Sequence, residues 1–291
     1  MCMKKRLLLL GVFLGAMGLW FYWPSENKID SYDQVASVFT QADEDTLVVF
    51  DVDDTLIVHR DLSARSAFAE SVEGWMYRIY YWFLYSPHRT KAYENKVFHA
   101  VFAKTQFQLI EPKVIDYIAD LQKRSVKVIA CTAMTPGKLE MIEKAEEWRY
   151  QHLAELGIDF SSSFNVEPIV FDNLKKRRDN YPMFYKGILC AARNPKGKVI
   201  GAFLDRIGWK PKKVIFFDDM SGFIATVRDE MKERGIPCEC YQYCGAHHMP
   251  GTVDRRVARL QLRHVIEHAE WLTDQEATII LQNKNIEKVL R

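Results

Sequence analysis

Short apolar runs that end in polar residues recur along this chain of 291 residues. The clearest extends from Leu47 to Phe50, and its branched and aromatic side chains are typical of a strand buried on both faces of a parallel sheet. Three carboxylates, Asp51, Asp53 and Asp54, follow within four positions. Open α/β sheets bind ligands just outside the carboxyl ends of their strands, so this acidic strand end is the first candidate for an active site.

The rest of the chain alternates between helical and strand-like patterns. Helical spacing and capping residues predict helices over residues 33–42, 111–123, 137–156, from 194–197 to about 207, 222–234 with Ser221 as the cap, and 254–271, followed by a helical or frayed tail. Apolar runs predict further strands over residues 126–131, 183–190, 213–217 and 238–243. This alternation predicts an α/β fold with a doubly wound, mainly parallel sheet and right-handed crossovers.

Three of the predicted strands deliver polar residues at their ends. These residues are Asp51 with Asp53, then Thr132, and then Asp218 with Asp219. In a doubly wound sheet we expect the three ends to lie side by side. That convergence makes the signal more specific than a single Asp-x-Asp pair.

Residues 61–107 separate the acidic loop from the next core element. Seven of the eleven positions from Trp75 to Tyr85 are aromatic. We interpret this stretch as a mainly helical cap insertion over the acidic site, with the core formed by residues 30–60 and 108–291. Internal packing is the simpler role for the aromatic side chains, and a substrate-facing or membrane-surface role is the alternative.

Residues 1–23 have the pattern of a targeting segment. Three cations at positions 4–6 precede an uncharged run of 17 residues, which is the lower limit for spanning a bilayer. We expect a signal peptide or an N-terminal membrane anchor, with an uncleaved anchor slightly favoured, and therefore export to the periplasm or cell envelope. The alternative is a buried N-terminal helix of a cytosolic protein.

Net charge limits the kinds of partner. The chain carries 40 Lys and Arg against 38 Asp and Glu, a formal charge of +2. Residues 1–23 hold three of the cations and no acid, so the remainder has 37 basic and 38 acidic residues, or −1. No overall basic field remains, and we expect no nucleic-acid partner.

The cysteines suggest neither a disulfide scaffold nor a zinc site. Cys238, Cys240 and Cys244 lie close to two histidines, but their spacing matches no common zinc pattern. In an oxidising compartment a disulfide within this group is the stronger expectation.

Three stretches carry a resemblance to a known family. They are Asp51-Val52-Asp53-Asp54-Thr55, Val128-Ile129-Ala130-Cys131-Thr132 and Val214-Ile215-Phe216-Phe217-Asp218-Asp219. In this order they resemble the first, second and fourth motifs of the haloacid-dehalogenase-like (HAD) superfamily, which is dominated by phosphatases and phosphotransferases. The resemblance covers roughly residues 45–245 and implies a Rossmann-like core with a cap. The layout after Thr132 is similar to an exported bacterial subgroup of that superfamily.

The resemblance implies a phosphatase that forms an aspartyl-phosphate intermediate. Asp51 would attack phosphorus, and Asp53 would protonate the leaving alkoxide and then deprotonate the attacking water. Mg²⁺ would be held by Asp51, Asp218 and the backbone carbonyl of Asp53. Asp219 would bind the ion directly or contact one of its ligands. An acid at position 53 favours phosphate esters, because an expelled halide needs no proton.

Two further residues would bind the small phosphorylated substrate. Thr132 would donate a hydrogen bond to a phosphoryl oxygen, and a lysine would neutralise the charge that grows there. Lys196 is the first choice, because it lies before a predicted helix and ahead of the third acidic strand. Lys186 and Lys198 are the competing lysines.

Two alternatives to a phosphatase stay open. One is an exported binding or interaction protein that kept the fold and lost useful turnover. The other is a phosphotransferase or phosphomutase, which needs only that an acceptor other than water enters the site.

Overall fold

The computed structural model describes residues 27–71, 74–76, 90–104, 106–139 and 142–289. The predicted targeting segment and most of the aromatic stretch between Trp75 and Tyr85 lie outside the described residues. Within the described part of the chain, no helix combines the length and the apolar character needed to cross a membrane.

A mainly parallel sheet of eight strands forms the centre of this α/β fold. The strands of the chain are β1 Lys28–Ile29, β2 Thr46–Phe50, β3 Ile57–His59, β4 Phe107–Leu109, β5 Lys127–Thr132, β6 Ile169–Val170, β7 Met183–Tyr185, β8 Ile188–Cys190, β9 Lys213–Asp218 and β10 Cys238–Tyr243. The order in the central sheet is β1-β10-β9-β2-β5-β8-β7-β6. Neighbours from β1 to β8 are parallel, and β7 and β6 extend the sheet antiparallel.

Helices connect the strands. They are α1 Ala36–Gln41, α2 Ser66–Glu70, α3 Lys91–Lys104, α4 Val114–Lys123, α5 Ala145–Glu155, α6 Lys196–Ile207, α7 Ser221–Glu233, α8 Arg255–His268 and α9 Asp274–Val289. Short 3₁₀ turns occur at Tyr32–Val35, Leu62–Ala64, Ser161–Ser163 and Gly245–His248.

The central strand β2 is buried on both faces of the sheet, as its uninterrupted apolar run predicts. Val48 and Phe50 belong to a hydrophobic cluster that includes residues of α1 and α4. Leu47 and Val49 belong to a second cluster with α6 and α7. Alternate side chains of one strand therefore contribute to the two cores, with helices packed on each.

The predicted single strand over residues 183–190 is wrong, because the structure has two antiparallel strands there. Lys186 and Gly187 join β7 to β8 with φ values of 45° and 81°, the conformation of a tight hairpin turn. A Cβ at Gly187 would lie 2.3 Å from the carbonyl oxygen of Phe160, so only glycine fits. As a result only β8 pairs with β5 in parallel.

The predicted helix over residues 137–156 is too long, because α5 begins at Ala145. Gly137 has a left-handed φ of 79°, and its N–H donates to the side chain of Glu146 at 2.7 Å. The N–H of Ala145 donates in turn to the carbonyl oxygen of Gly137 at 2.9 Å. These bonds close a loop where the apolar spacing had suggested two more turns of helix.

Two predicted helix ends are also wrong. Ser221 is the first residue of α7 and not its cap. The cap position is occupied by Met220, whose N–H donates to the side chain of Asp218 at 2.8 Å. The helix predicted over residues 254–271 ends at His268, because Ala269 adopts a left-handed φ of 52°. The final residues up to Val289 are helical, in agreement with one of the two expectations for the tail.

The inserted segment starts and ends on the small antiparallel pair β3–β4, and its described part contains α2 and α3. The C-terminal part of the chain contacts it. The indole N–H of Trp271 donates to Asp61 at 2.8 Å, and the hydroxyl of Tyr93 donates to the carbonyl oxygen of Ile266 at 2.8 Å. The C-terminal helical region therefore packs on the inserted segment.

Candidate active site

The three polar strand ends are neighbours in the sheet, as expected from the sequence. Strand β2 lies between β9 and β5, and all three are parallel. Asp51 directly follows β2, and its backbone N–H donates to the carbonyl oxygen of Phe217 in β9 at 2.8 Å. Asp218 ends β9, and Thr132 ends β5. One edge of the sheet thus carries the acids of two strands and the hydroxyl of a third.

A tight loop after β2 connects two of these strand ends. Asp54 has a left-handed φ of 59°, a conformation that aspartate tolerates better than most residues. The hydroxyl of Thr55 donates to the Asp51 carboxylate at 3.2 Å and accepts the backbone N–H of Asp219 at 3.2 Å. Thr55 had no predicted role, although its place four residues after Asp51 was the available signal.

Lys196 is the candidate lysine that lies in the site. Its ammonium contacts Asp51 Oδ1 at 2.5 Å and Asp218 Oδ2 at 2.6 Å, and its side chain is 1% exposed. Helix α6 begins at this residue and packs closely on α7, because a Cβ at Gly197 would lie 2.0 Å from the carbonyl oxygen of Thr226. This close approach of two helices fixes where the lysine enters the site.

The two competing lysines have other partners. The ammonium of Lys186 lies 4.3 Å from the centre of the Tyr150 ring. Lys198 pairs with Glu230 at 2.6 Å and with Glu233 at 3.1 Å, and more than half of its side chain is exposed. These contacts assign both residues to the surface of the fold.

Asp51, Asp218 and Asp219 form a possible metal site. One oxygen of each carboxylate lies within 4.8 Å of the other two, and no other group of three such ligands occurs among the described residues. Mg²⁺ binds oxygen ligands at about 2.0–2.1 Å in octahedral geometry, which places them roughly 3–4 Å apart. Lys196 balances one of the three negative charges. The donor set and its remaining charge therefore fit a hard divalent cation.

Burial raises the pKa of all three carboxyl groups. Desolvation raises the pKa of Asp218 to about 7 even though Lys196 opposes the shift. It also raises the pKa of Asp51, and it raises that of Asp219 well above the usual range with help from the charges of Asp218 and Asp51. Burial alone would lower the pKa of Lys196, but Asp218 and Asp51 raise it overall. A bound cation would relieve the repulsion among these acids.

These shifts predict that the metal-free protein loses stability as pH rises. Carboxyl groups whose folded pKa exceeds the unfolded value near 4 favour folding at low pH, and this contribution disappears between about pH 4 and pH 7. In EDTA we expect a lower melting temperature at pH 8 than at pH 5. At 100 times its Kd, Mg²⁺ should raise the melting temperature at pH 8 by about 5–10 °C and have little effect at pH 5.

Thermal unfolding followed by circular dichroism tests this prediction, with NaCl at matched ionic strength as the control for screening. The variant Asp219→Asn should show a smaller difference between the two pH values. Equal melting temperatures in EDTA at pH 5 and pH 8 would contradict the electrostatic account of the site.

The Asp53 carboxylate lies outside the three-carboxylate group. It accepts from Arg149 Nη2 at 2.8 and 3.1 Å, and the Arg149 side chain is fully buried while that of Asp53 is 37% exposed. The part of Asp53 predicted to bind Mg²⁺ is its backbone carbonyl, which stays a prediction. Sequence reasoning missed Arg149, because a single arginine in a charged helical stretch has the pattern of a solvent-facing residue.

Thr132 is buried at the third strand end. Its hydroxyl oxygen accepts the backbone N–H of Met134 at 3.2 Å, so the proton of the hydroxyl can serve another acceptor. Burial raises the pKa of the neighbouring Cys131 thiol to about 12, and Lys196 and Asp51 also influence that pKa. The end of β5 is therefore within electrostatic reach of the acidic group.

The cysteine group contains no disulfide, contrary to our expectation. Cys238, Cys240 and Cys244 are free thiols in the structure. The sulfur atoms of Cys238 and Cys240 are 3.4 Å apart, but they are two residues apart on one strand. Side chains at that spacing leave the strand on the same face, which explains the proximity without a covalent bond.

Fold and site together define a class, an α/β protein with an acidic site at the ends of its central parallel strands. The chain belongs to the family DUF2608, described as a protein of unknown function, and residues 28–278 match the model of that family.

Curated relatives come from Rickettsia and are uncharacterised proteins. One from Rickettsia prowazekii is 25% identical over 247 residues, which cover 85% of this chain and 87% of that protein. A second from the same organism is 36% identical over 126 residues, 43% of this chain and 42% of the relative. One from Rickettsia felis is 32% identical over 114 residues, 38% of this chain and 39% of the relative. No solved structure matches the chain.

Proposed function

We propose that this protein is a Mg²⁺-dependent phosphatase of the HAD type, which hydrolyses a small phosphate monoester through an aspartyl-phosphate intermediate. One observation carries the proposal. Lys196 bridges Asp51 and Asp218 at two adjacent strand ends, and the carboxylate of Asp219 belongs to the same group. Phosphoryl transfer needs this combination of a nucleophile, a fixed cation and a site for a metal ion.

Asp51 supplies the nucleophile. A carboxylate oxygen attacks phosphorus opposite the ester oxygen, the bond from phosphorus to that oxygen breaks, and the departing oxygen takes a proton from Asp53. Water then gives a proton to Asp53 while its oxygen attacks the phosphorus of the aspartyl-phosphate. Inorganic phosphate leaves and the Asp51 carboxylate is restored.

The other residues of the site stabilise charge on the phosphoryl group. The hydroxyl of Thr132 donates to one of its oxygens, and the ammonium of Lys196 balances the charge that grows on another. Bound at Asp51, Asp218 and Asp219, with the Asp53 carbonyl, Mg²⁺ would neutralise negative charge on the phosphoryl oxygens.

The cap and the cellular location of the enzyme are part of the same proposal. Residues 61–107 act as a cap that decides which phosphate esters enter. Hydrogen bonds from Trp271 to Asp61 and from Tyr93 to Ile266 connect this cap to the C-terminal part of the chain. The basic and apolar pattern of residues 1–23 supports an exported protein, anchored in the membrane if that segment is not cleaved.

An assay of the full-length chain with generic phosphate esters tests the proposal. We expect release of inorganic phosphate in Mg²⁺, its loss in excess EDTA, and its recovery when Mg²⁺ is restored. The variant Asp219→Asn should need a higher Mg²⁺ concentration for half-maximal rate. Asp33→Asn should not, because Asp33 is an exposed carboxylate that pairs with Lys113 and does not belong to the acidic group. Hydrolysis that is unaffected by EDTA would contradict the proposed site.

One observation favours the second candidate function, a binding protein with little turnover. The side chain of Asp53, the proposed acid and base, is already engaged by Arg149. If that contact persists when substrate binds, the leaving group receives no proton from Asp53. Binding of phosphate esters without turnover in Mg²⁺ would identify this second candidate, and phosphate transfer to an added alcohol would identify a phosphotransferase.

A further inference from the structure

The buried guanidinium of Arg149 has more hydrogen-bonding capacity than its surroundings use. Among the described residues, Nη2 donates to Asp53, whereas Nε and Nη1 are buried with no hydrogen-bond partner. A buried charged donor without a partner is costly, and native proteins rarely retain one. Nε and Nη1 of Arg149 are therefore donors that an anionic ligand can use.

Aromatic rings fix the position of this guanidinium. Its central carbon lies 5.1 Å from the ring centres of Phe107 and Trp148 and 5.6 Å from that of Phe102. These rings offer no hydrogen-bond acceptor, and the N–H bonds of a guanidinium point outward in its own plane. A ligand for Arg149 must therefore approach in the plane of the group, as a carboxylate or phosphate does.

A second buried polar atom without a partner lies in the same neighbourhood. The ring of His59 is 4.8 Å from that of Phe107, and its Nδ1 has no hydrogen-bond partner among the described residues. Burial lowers the pKa of His59 to about 4, so the imidazole is neutral at pH 7, and both Asp53 and Arg149 influence that pKa. A neutral imidazole can donate one hydrogen bond to a ligand oxygen.

The geometry of arginine connects these two donors to Asp53. A guanidinium has two edges that can each hold a carboxylate through two hydrogen bonds. One edge is formed by Nε and Nη2 and the other by Nη1 and Nη2, so Nη2 belongs to both. Nη2 is the atom that Asp53 occupies. Nη2 has two hydrogens, so a ligand anion that binds Arg149 bidentately shares this nitrogen with Asp53 and brings a second negative charge next to that carboxylate. Repulsion between the two anions then favours movement of Asp53 away from Arg149.

We propose that Arg149, with His59 beside it, binds a second anionic group in the leaving part of the substrate, and that this binding releases Asp53 for acid–base catalysis. The inference rests on the proposed phosphatase function and narrows its substrate class. The substrate is a phosphate monoester whose leaving group carries a carboxylate or a second phosphate close to the ester oxygen. Arg149 Nη2 contacts Asp53, the proposed acid for the ester oxygen, at 2.8 Å, so the second anionic group lies close to that oxygen and the leaving group is compact.

A matched pair of substrates tests this. Phosphoglycolate carries a carboxylate next to the ester, and 2-hydroxyethyl phosphate has a neutral hydroxyl in its place. Because one charge-assisted contact and the release of Asp53 both favour the first ester, we expect wild-type kcat/KM to be about 10–100-fold higher for it, with part of the gain in kcat. Arg149→Lys keeps the charge but loses the planar edge, and it should reduce the preference to a few-fold.

Inorganic phosphate serves as the control for folding of the Arg149→Lys site. Its inhibition constant should be unchanged, because Thr132, Lys196 and Mg²⁺ at the acidic site would bind it independently of Arg149. His59→Asn, a smaller polar replacement, should lower the preference less than Arg149→Lys does. The combination of a lost preference, unchanged phosphate inhibition and a changed kcat separates a direct contact from a general loss of structure.

Equal kcat/KM for the two esters in the wild-type enzyme would overturn the second-anion subsite and leave the phosphatase intact. If the wild type hydrolyses neither ester, calorimetric binding of the same two compounds decides. Tighter binding of phosphoglycolate that Arg149→Lys abolishes supports the subsite even though the phosphatase function fails, and equal binding overturns it.

Discussion

Replacing Asp51 by asparagine should reduce kcat for phosphate-ester hydrolysis by at least about 10⁴-fold, the loss typical of removing a nucleophile. An amide oxygen has no negative charge and cannot form the aspartyl-phosphate. The change should not unfold the protein, because Lys196 keeps its contact with Asp218 at 2.6 Å and one buried negative charge is removed. A steady-state phosphate-release assay with Mg²⁺ gives the ratio of rates.

Asp54→Asn provides the matched control for Asp51→Asn. Asp54 lies in the same loop, where its carboxylate accepts a hydrogen bond from Ser66, and desolvation raises its pKa to about 6. Asparagine tolerates the left-handed φ of this position and keeps the oxygen that Ser66 contacts. Its rate should stay within about threefold of wild type, since the Asp54 carboxylate contacts Ser66 and has no proposed contact with the substrate or the metal.

A covalent trap makes the test of Asp51 specific. Acid quenching during turnover should yield a peptide covering residues 47–56 that carries one phosphoryl group in the wild type and none in Asp51→Asn. Retention of a tenth or more of wild-type activity by Asp51→Asn would identify a different nucleophile, such as a water molecule activated at the acidic group. In that case the aspartyl-phosphate mechanism would be wrong.

The parts of this fold that followed from sequence are those set by local pattern. The run from Leu47 to Phe50 had to be a doubly buried strand, because no polar residue offered it a solvent face. The polar strand ends at Asp51, Thr132 and Asp218 then required only that parallel strands share one edge. Lys196 was found by its place in the order of motifs and not by any pattern of its own.

The parts that sequence could not show depend on tertiary contacts. The turn at Lys186 and Gly187 splits an apolar run whose composition alone suggested one strand. Glu146 accepts a backbone N–H in the loop before α5, which shortened the predicted helix. Arg149 lies among aromatic rings contributed by distant segments, including Phe102, so its burial cannot be predicted from its neighbours in sequence.

Replacing Lys196 by methionine should lower the free energy of unfolding by about 3–5 kcal/mol in EDTA at pH 8, because it leaves buried carboxylates without their cation. Both Asp51 and Asp218 contact the ammonium and are less than a tenth exposed. The loss should be smaller at pH 5, since the pKa of each carboxyl is raised and both can take up a proton there. Urea unfolding at the two pH values measures this difference.

The same variant should lose about 10²–10³-fold in kcat when Mg²⁺ is present, the usual effect of removing one charged group from a developing oxyanion. Mg²⁺ should restore part of its stability, so that chemistry can be measured on folded protein.

The two lysines that competed with Lys196 in sequence provide the controls. Lys198→Met removes a surface ion pair with Glu233 and one with the buried carboxylate of Glu230, which keeps Arg234 as a partner at 2.7 Å, so the free energy of unfolding should stay close to that of the wild type. Lys186→Met removes a cation–π contact with Tyr150, worth about 0.5–1 kcal/mol at an exposed site. Both variants should keep wild-type kcat. If either loses as much activity as Lys196→Met, the assignment of the phosphate-binding lysine is wrong, whatever the contacts of the resting structure.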